Sequence, residues 1–310
     1  MDEKEYQWLK QRKSGIGGSE ASIVLGVNPW RSRLELWNDK INPVIQTTET
    51  VDLNFKWGKI LEPVIINEYK NITGRKVITG VEQFTSEQYP FMNANLDGIV
   101  IDKKKGIGVL EAKTKGAFVN WNENIPLYYM IQMQHYLAVT GFKYASFTVL
   151  DFAKKDLLWY DVDRDENLIS KIIDEEKKFW DLVLNKTPPT VDGSKSCNEY
   201  LRNKYADSVE GKKIDLTQNQ IASKSADVLK YIRSEKKALE SDELKNKNIL
   251  MSIMEDAEIG IGINYKITWK NDKDSFEFDE ETFKVKHPEL YKQFLKDKKG
   301  VRRFTIKFNE

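Results

Sequence analysis

Apolar residues recur at helical or alternating spacing along the first 190 residues of the chain. Residues 57–72 and 126–140 carry apolar side chains three and four positions apart, and the second segment opens on a proline and ends before Gly141. Asp165 is placed to cap a further helix that runs to about Leu184. Runs typical of strands lie at 76–80, 96–102, 107–114, 144–151 and 157–163. The pattern predicts a mixture of helices and strands.

The pattern changes after residue 190. Residues 187–215 are polar and aperiodic, as expected of a linker. Residues 216–257 are rich in Lys and Glu and carry apolar residues at heptad-like spacing, which predicts a long helix. Short strands are expected at 264–270, 275–279 and 302–308, and a helix at 280–297. We expect a first domain over residues 1–190. Residues 191–310 would form a helical and small β extension, which either contacts a partner or packs on its own domain.

Composition and charge narrow the classes of protein. Of the 310 residues, 40% are hydrophobic and 31% are charged, which is enough to bury a core. The 49 Lys and Arg residues nearly balance the 48 Asp and Glu residues. This excludes a polycation that coats nucleic acid, but not a local nucleic-acid site. The single cysteine, Cys197, excludes internal disulfides, a cysteine zinc site and an iron–sulfur cluster. No apolar run spans a bilayer and no secretory leader is recognisable, so we expect a cytoplasmic protein.

The residues with the clearest chemistry lie in two strands joined by the polar turn 103–106. A hairpin folded about this turn brings Asp97 beside Glu111 and Lys113, which share one face of the second strand. Two carboxylates at one crossing repel each other and favour a hard cation such as Mg²⁺. A neighbouring lysine can orient an attacking water and stabilise its hydroxide form. The pattern indicates metal-dependent hydrolysis of a phosphate ester; the alternative is an exposed hairpin with an ordinary Asp–Glu–Lys network.

A glycine-rich segment near the N-terminus, residues 15–27, leads into a short helix. The backbone N–H groups of Gly17 and Gly18 and the hydroxyl of Ser19 can bind an anion at a helix start, and Arg12 can add a bidentate phosphate contact. The alternative is N-capping by Ser19, with the glycines in a tight turn. A Walker A loop is excluded because no Lys followed by Ser or Thr closes the glycine run. A dinucleotide-binding loop is excluded because no strand is predicted before the glycines.

Short blocks of sequence occur in a characteristic order across residues 9–150. The N-terminal blocks are Arg12-x₂-Gly15-Ile16-Gly17-Gly18-Ser19-Glu20, Leu25-Gly26-Val27-Asn28-Pro29-Trp30 and Leu34-Glu35-Leu36-Trp37. The later blocks are Trp57-Gly58-x₃-Glu62-Pro63, Ala94-Asn95-Leu96-Asp97-Gly98, Leu110-Glu111-Ala112-Lys113-Thr114 and Tyr129-x₂-Gln132-x-Gln134-x-Tyr136. Each block alone is weak, but together they resemble the lambda-exonuclease/YqaJ-type family of phage recombination nucleases.

The resemblance implies a restriction-endonuclease-like α/β core, with a mixed central sheet flanked by helices and a PD-(D/E)xK site on the central hairpin. It implies that Asp97 and Glu111 bind Mg²⁺, for which Mn²⁺ can substitute, and that the Ala112 carbonyl is a third ligand. Lys113 would assist the nucleophile. The segment before Asp97 lacks the proline of the motif, a minor departure because the carboxylate is the group that meets the metal.

The resemblance extends to residues on two helices. Glu62 matches a carboxylate near the same metals, although its spacing alone fits an ordinary surface position. Gln132 and Gln134 match a glutamine-bearing helix over the site. Because residues two apart on a helix cannot share a face, we expect only Gln132 to reach the site. Core packing alone accounts for Tyr129 or Tyr136, and His135 is expected to be an ordinary helix residue.

By the same resemblance, Arg12, Ser19, Gly17 and Gly18 form the pocket for a DNA 5′-phosphate. We expect a phage- or prophage-encoded 5′→3′ exonuclease, acting in the cytoplasm of a bacterial host. It would digest linear double-stranded DNA and leave 3′ single-stranded tails for annealing-type recombination. The implied partners are duplex DNA ends, a single-strand annealing protein and further copies of the chain in a trimeric ring, with no membrane. The alternatives are a related endonuclease and a catalytically silent DNA-end-binding scaffold.

Overall fold

The computed structural model describes residues 10–43, 53–119, 121, 124–298 and 300–308. The chain divides into two compact units, Met1–Lys204 and Tyr205–Glu310. The candidate catalytic residues all belong to the first unit, which is a mixed α/β domain.

The first unit contains both strands and helices, as the hydrophobic pattern predicts. Its strands are β1 (Ile16–Gly17), β2 (Lys76–Ile78), β3 (Phe84–Thr85), β4 (Met92–Ala94), β5 (Gly98–Asp102), β6 (Gly106–Lys115), β7 (Tyr144–Asp151) and β8 (Asp156–Asp163). Its helices are α1 (Gly18–Val24), α2 (Arg33–Ile41), α3 (Leu53–Thr73), α4 (Leu127–Thr140), α5 (Glu166–Leu184) and α6 (Lys195–Lys204).

A five-stranded sheet in the order β2-β5-β6-β7-β8 forms the centre of this unit. Strands β5 and β6 form the predicted antiparallel hairpin, in which Asp102 pairs with Gly106 across the turn. Strand β7 pairs in parallel with β6 and antiparallel with β8. A parallel pair needs a crossover between its strands, and α4 provides it. The mixed sheet flanked by helices is thereby confirmed.

Helices cover both faces of the sheet. Tyr69 of α3 and Leu110 of β6 belong to the apolar cluster on one face. Met133 of α4 and Val109 of β6 belong to the cluster on the other. Because successive side chains of a strand point to opposite faces, the odd-numbered residues of β6 face α4. The side chain of Glu111 is therefore directed toward α4.

Helix α4 has well-defined ends. Gly141 follows it with φ 72°, the left-handed conformation that favours glycine, and its N–H donates to the Leu137 carbonyl. The prediction that the helix stops before Gly141 is confirmed. Pro126 is the capping residue rather than the first helical residue, since its ψ of 141° is extended.

A small three-stranded sheet in the order β1-β4-β3 carries the glycine-rich segment. Ile16 pairs in parallel with Met92, so that segment lies beside the strand that leads toward Asp97. His135 of α4 joins this sheet to α5, because its Nε2 lies 2.9 Å from the Asn93 carbonyl and its Nδ1 lies 2.7 Å from Glu176 Oε1. His135 is fully buried and connects three elements, which gives it a structural role.

The first unit extends beyond the expected boundary at residue 190. Helix α6 lies within the stretch expected to be a linker, and its Cys197 is buried with Trp37 of α2 and Phe179 of α5. The linker prediction is wrong for these residues because a tertiary contact, rather than local periodicity, orders them.

The second unit contains the predicted long helix, α7 (Gln220–Met254). It is followed by the hairpin of β9 (Ile259–Ile261) and β10 (Lys266–Thr268), and by α8 (Glu280–Lys286) and α9 (Pro288–Gln293). The strands expected at 275–279 and 302–308 are wrong: no strand forms there.

A proline and a long-range hydrogen bond accompany the differences from the predicted second unit. The expected helix over 280–297 is interrupted at Pro288, which begins α9. The segment that includes Ile306 runs along α7, where Arg233 donates a hydrogen bond to the Ile306 carbonyl at 3.0 Å. In the described parts of the chain, no helix combines the length and apolar character needed to cross a bilayer.

Candidate active site

Strands β5 and β6 place the two predicted carboxylates at one end of the hairpin. Gly98 pairs with Leu110, so Asp97, one position further, lies opposite Glu111. Asp97 Oδ2 accepts a hydrogen bond from the Ala112 backbone N–H at 2.8 Å. The structure therefore brings Asp97 beside Glu111, in the register that the turn at 103–106 predicted.

Glu111 is buried, with 1% of its surface exposed, and its two carboxylate oxygens differ sharply. Oε1 forms an ion pair with the Lys113 ammonium and accepts a hydrogen bond from Gln132 Nε2 at 2.6 Å. Oε2 is buried and has no hydrogen-bond partner. Because an unsatisfied buried carboxylate oxygen costs free energy, Oε2 marks a position that a further ligand would stabilise.

Two carboxylates and one ammonium perturb one another at this site. Burial, and then the charge of Asp97, raise the pKa of Glu111 to about 8, while Lys113 acts in the opposite direction. Burial alone would lower the pKa of Lys113, but the charges of Glu111 and Asp97 outweigh it and raise that pKa. In the fully ionised state, which a pKa of about 8 for Glu111 disfavours at neutral pH, the three side chains carry one net negative charge. A bound cation would balance that charge.

The two glutamines of α4 have different surroundings. Gln132 donates to Glu111 Oε1 and also to the Tyr136 hydroxyl at 3.0 Å. Gln134 points elsewhere: its Nε2 donates to the Asp163 carbonyl at 2.8 Å, and its Oε1 accepts from the Asp165 N–H at 2.9 Å. The structure thus brings Gln132 to the site, and Gln134 fixes the connection between β8 and α5.

Glu62 lies near the other carboxylates without joining them in a cluster. It is half-buried on α3, and its pKa is raised by burial and then by the charge of Asp97. Helix α3 covers the face of the sheet opposite to the one that Glu111 faces. Among the described residues, no group of three or more His, Cys, Asp or Glu side chains is placed to hold a metal ion. Glu62 nevertheless lies within electrostatic reach of Asp97 and Glu111, and its role as a metal ligand stays a prediction.

The glycine-rich segment differs from its predicted form. The N-cap of α1 is Gly17, so the alternative of N-capping by Ser19 is wrong. The Gly17 N–H donates to Glu20 Oε2 at 3.0 Å, so it is not a free donor for an anion. Gly18 serves packing, because a Cβ at this position would lie 2.3 Å from the Tyr136 ring. Ser19 is exposed.

Arg12 contacts a buried ion pair formed by Glu20 and Lys40. Glu20 Oε2 accepts from Lys40 Nζ at 2.7 Å, and both side chains are buried. Lys40 also donates to the Arg12 carbonyl at 2.5 Å, and the Arg12 guanidinium lies 3.2 Å from Glu20 Oε1. Burial alone would raise the pKa of Glu20, but Lys40 and Arg12 outweigh it and hold that pKa below its usual value. The arrangement fixes Arg12 at the surface with its side chain 35% exposed.

A cleft of about 260 Å³ joins the two groups of candidate residues. Arg12 and Ser19 line it from the N-terminal segment, and Lys113 and Gln132 line it from the hairpin side. Its walls also include Ser22, Asn28, Trp30, Arg31, Tyr128 and Tyr129. Two of the residues predicted to bind phosphate and two of those predicted to be catalytic therefore face one space.

Sequence reasoning missed two parts of this site. The Glu20–Lys40 pair escaped notice because the two residues meet only through the packing of α1 on α2. Trp30 and Tyr128 were not predicted to line the cleft. The sequence does contain an indication for Trp30: it directly follows Asn28-Pro29, a dipeptide typical of turns, and residues in turns lie at the surface.

Fold and site together define a mixed-sheet domain with an acidic and lysine-bearing hairpin beneath a glutamine-bearing helix. Residues 7–143 match the family model of the YqaJ-like viral recombinase domain. Over 309 residues the chain is 36% identical to the uncharacterized protein YqaJ of Bacillus subtilis (strain 168), an alignment that covers 97% of this chain and 93% of that protein. The chain belongs to the YqaJ-like viral recombinase family, and the resemblance read from its sequence blocks is confirmed.

Solved structures similar to this chain include exonucleases. One is an alkaline exonuclease, LHK-Exo, from Laribacter hongkongensis, with 22% identity and a TM-score of 0.49 over 64% of this chain and 96% of that one. Another is a phage related exonuclease from Haemophilus somnus 129PT, with 13% identity and a TM-score of 0.40 over 58% of this chain and 99% of that one.

Proposed function

We propose that the protein is a metal-dependent 5′→3′ exonuclease that digests linear double-stranded DNA and leaves 3′ single-stranded tails. The observation that carries the proposal is the environment of Glu111. This buried carboxylate has one oxygen held by Lys113 and Gln132, one oxygen without a partner, and Asp97 beside it. Membership of a viral recombinase family supports a role in DNA recombination.

The residues of the hairpin fit a divalent metal. Glu111 Oε2 lacks a partner, and Asp97 adds a second carboxylate. The N–H and C=O of one residue point to the same edge of a strand, so the Ala112 carbonyl faces the Asp97 side and can serve as a third oxygen ligand. An oxygen-only set suits Mg²⁺, and Mn²⁺ is expected to substitute. When bound, the metal would polarise the scissile phosphate and lower the pKa of a water molecule.

Lys113 and Gln132 have distinct roles in this proposal. The raised pKa of Lys113 keeps its ammonium charged, so it acts as a cation that orients water and stabilises negative charge on the phosphate, not as a base. Gln132 positions Glu111 through its hydrogen bond to Oε1. Tyr136 holds Gln132 in turn, and its ring lies against Gly18 at the start of α1.

The direction of digestion is supported by the cleft. Arg12 and Ser19 share it with Lys113, and Glu20 orients the Arg12 guanidinium. A terminal 5′-phosphate bound by Arg12 would present the adjoining phosphodiester bond toward the hairpin. Arg12 and Ser19 are the proposed contacts of this 5′-phosphate. Gly17 and Gly18 contribute by shaping the turn, because the Gly17 N–H is already paired.

The proposed partners follow from this activity. They are duplex DNA ends, a single-strand annealing protein that receives the 3′ tails, and further copies of the chain in a trimeric ring. DNA as the substrate places the activity in the cytoplasm of a bacterial host that carries the phage or prophage. The unit Tyr205–Glu310 is our candidate for the contact with the annealing protein.

A second candidate is a catalytically silent scaffold that binds DNA ends, and a third is a related endonuclease. Asp97, Glu111 and Lys113 are all present and in mutual reach, which favours an active enzyme over a scaffold. The shared cleft with Arg12 favours action at an end over internal cleavage.

The test is digestion of linear duplex DNA labelled at either the 5′ or the 3′ end of one strand, with Mg²⁺, Mn²⁺ or EDTA. We expect early release of the 5′ label, persistence of the 3′ label in a single strand, and no reaction in EDTA. Cleavage of covalently closed circular DNA would instead indicate an endonuclease. Binding of ends without any cleavage would indicate a scaffold.

A matched pair of variants on β6 tests the role of Lys113. Lys113 and Lys115 share one face of the strand, but Lys115 pairs with Asp151 at 2.7 Å. We expect Lys113→Ala to lower turnover on the order of 100-fold or more, the scale of losing one charge-stabilising donor. Lys115→Ala leaves the buried Asp151 without its cation, so thermal unfolding must show that the variant is folded; we then expect its turnover to remain within about threefold of the wild type. Equal losses in the two variants would contradict the assignment.

A further inference from the structure

The cleft beside Lys113 has an aromatic wall that phosphate binding does not explain. The rings of Trp30 and Tyr128 meet edge to face with centroids 4.9 Å apart, and those of Tyr128 and Tyr129 lie 4.5 Å apart. The Lys113 ammonium lies 5.8 Å from the centroid of the Tyr129 ring. A continuous aromatic series therefore leads from the exposed Trp30 side chain to the proposed catalytic lysine.

Trp30 is exposed although its backbone is held in a built turn. Its side chain is 62% exposed. Asn28 Oδ1 accepts hydrogen bonds from the N–H groups of Trp30 and Arg31 at 2.9 and 3.0 Å, and Asn28 Nδ2 donates to Ser22 Oγ at 3.0 Å. Asn28 therefore fixes the turn from both ends of its amide. The turn thereby holds an exposed aromatic side chain in the wall of the cleft, beside Tyr128.

We propose that Trp30, supported by Tyr128, stacks on the base of the terminal nucleotide of the strand that enters the cleft. This inference rests on the proposed function, since it takes that strand to be DNA. The cleft provides cations for phosphate, Arg12 and Lys113, and an aromatic surface for the uncharged, planar part of the same nucleotide. Stacking on aromatic side chains is the usual way in which proteins hold single-stranded bases.

The size of the cleft limits what can stack there. At about 260 Å³ it lies just below the range of pockets that enclose a drug-sized molecule, a size that suits a single nucleotide. Because every base has a π-face, stacking tolerates all four bases but not a nucleotide that lacks its base. The site therefore recognises a nucleotide without reading its sequence.

Equilibrium binding tests the inference without relying on cleavage. The probe is a fluorescent DNA hairpin with one 5′-phosphorylated duplex end, either intact or with an abasic terminal nucleotide, and binding is measured in EDTA. We expect Trp30→Ala to weaken binding of the intact end by about 5- to 100-fold. On the abasic end the same variant should change the affinity by less than about twofold. Trp30→Phe, which retains a π-face, should restore most of the affinity.

Trp159→Ala provides the control, because Trp159 is an exposed tryptophan of β8 outside the cleft. It should bind both ends as the wild type does, and thermal unfolding should show that all three variants are folded. Equal weakening of the intact and abasic ends by Trp30→Ala, or no weakening, would overturn the inference. Failure of the proposed function is distinguishable: the wild type would then bind intact ends in preference to abasic ends but release no nucleotides with Mg²⁺ or Mn²⁺.

Discussion

The Asp97 carboxylate and the Ala112 backbone N–H are joined by a hydrogen bond of 2.8 Å across the hairpin. Asp97 lies one residue beyond the last strand pair, so this contact continues the ladder through a side chain. The separation of Asp97 from Glu111 is consequently set by the backbone of two strands. An asparagine at position 97 retains an oxygen acceptor for the Ala112 N–H and removes only the charge.

We therefore expect Asp97→Asn to fold and to bind DNA ends while losing turnover on the order of 100-fold or more, because a ligand charge is lost. Steady-state digestion of linear duplex DNA in Mg²⁺ measures the loss, and thermal unfolding checks the fold. Asp163→Asn, a change to an exposed carboxylate at the end of β8, should leave turnover near the wild-type value. Near-normal turnover in Asp97→Asn would remove Asp97 from the metal site.

The Arg12 guanidinium gives a prediction about the DNA end. Arg12→Ala should slow digestion of 5′-phosphorylated duplex and leave 5′-hydroxyl duplex nearly unaffected, because only the phosphate offers a charged acceptor. The lost contact should be worth about 1.5–3 kcal/mol, the range for hydrogen bonds to charged groups. Initial rates on the two substrates measure the effect. If wild type and variant prefer phosphate equally, Arg12 has a structural role only.

The adjacent glycines 17 and 18 make a matched pair for stability. A methyl group at position 18 would lie 2.3 Å from the Tyr136 ring, whereas at position 17 its nearest contact would be Glu20 Oε2 at 3.9 Å. We expect Gly18→Ala to lower the free energy of unfolding by about 1–3 kcal/mol, the usual cost of overpacking. Gly17→Ala should change it by no more than about 1 kcal/mol. Urea denaturation of both variants measures the free energy of unfolding. An equal decrease in the two variants would show that the Tyr136 ring does not limit the size of the side chain at position 18.

Gly18→Ala should also lower the turnover of the enzyme. Tyr136 accepts the second hydrogen bond of Gln132, which in turn holds Glu111. A displaced Tyr136 ring would loosen that chain of contacts, so turnover should fall in this variant even at temperatures where it is fully folded. Unchanged turnover would mean that Gln132 keeps its position without Tyr136.

The Arg75–Asp161 pair predicts a dependence of stability on pH. The Arg75 guanidinium lies 2.7 Å from Asp161 Oδ2 and 2.8 Å from Asp102 Oδ2. Burial would raise the pKa of Asp161, but hydrogen bonds from Arg75, Lys105 and Ser146 outweigh it and lower that pKa to about 2. Since the folded pKa lies below the unfolded value, the pair stabilises the protein above about pH 4 and ceases to do so as the pH falls toward 2.

Arg75→Met should therefore lower the free energy of unfolding by about 1.5–3 kcal/mol at pH 7. The difference from the wild type should narrow steadily between about pH 4 and pH 2. Urea denaturation of both proteins across this range measures the difference. A gap that stays constant with pH would show that Arg75 contributes through the packing of its stem alone.

The parts of the fold that could be predicted from sequence are those set by neighbours along the chain. The β5–β6 hairpin was predictable because the turn 103–106 and the pairing of Asp97 with Glu111 depend on local spacing. Helix α4 was predictable because Gly141 stops it locally. Membership of a family added site residues to this frame, and the structure brings three of them, Asp97, Glu111 and Gln132, together near Lys113.

The parts that could not be predicted depend on contacts between distant segments. Helix α6 has mostly polar residues, and only the burial of Cys197 against α2 and α5 reveals its place in the domain. The Gly17 N–H donates a hydrogen bond to the Glu20 carboxylate, and the spacing of the glycines does not reveal this contact. Glu62 lies on α3, which covers the face of the sheet opposite to the one that Glu111 faces, and sequence spacing does not reveal that arrangement.

The parallel pairing of β6 with β7 has a consequence for the order of synthesis. Asp97, Glu111 and Lys113 all precede the crossover helix, but β6 acquires its second neighbour, and Glu111 its contact with Gln132, only after α4 and β7 have been made. Such a non-local pairing forms late, because the intervening loop must close first. A growing chain thus bears every charged residue of the hairpin well before it bears a working site. Nuclease activity should therefore appear only after the ribosome has added Asp151, the last residue of β7.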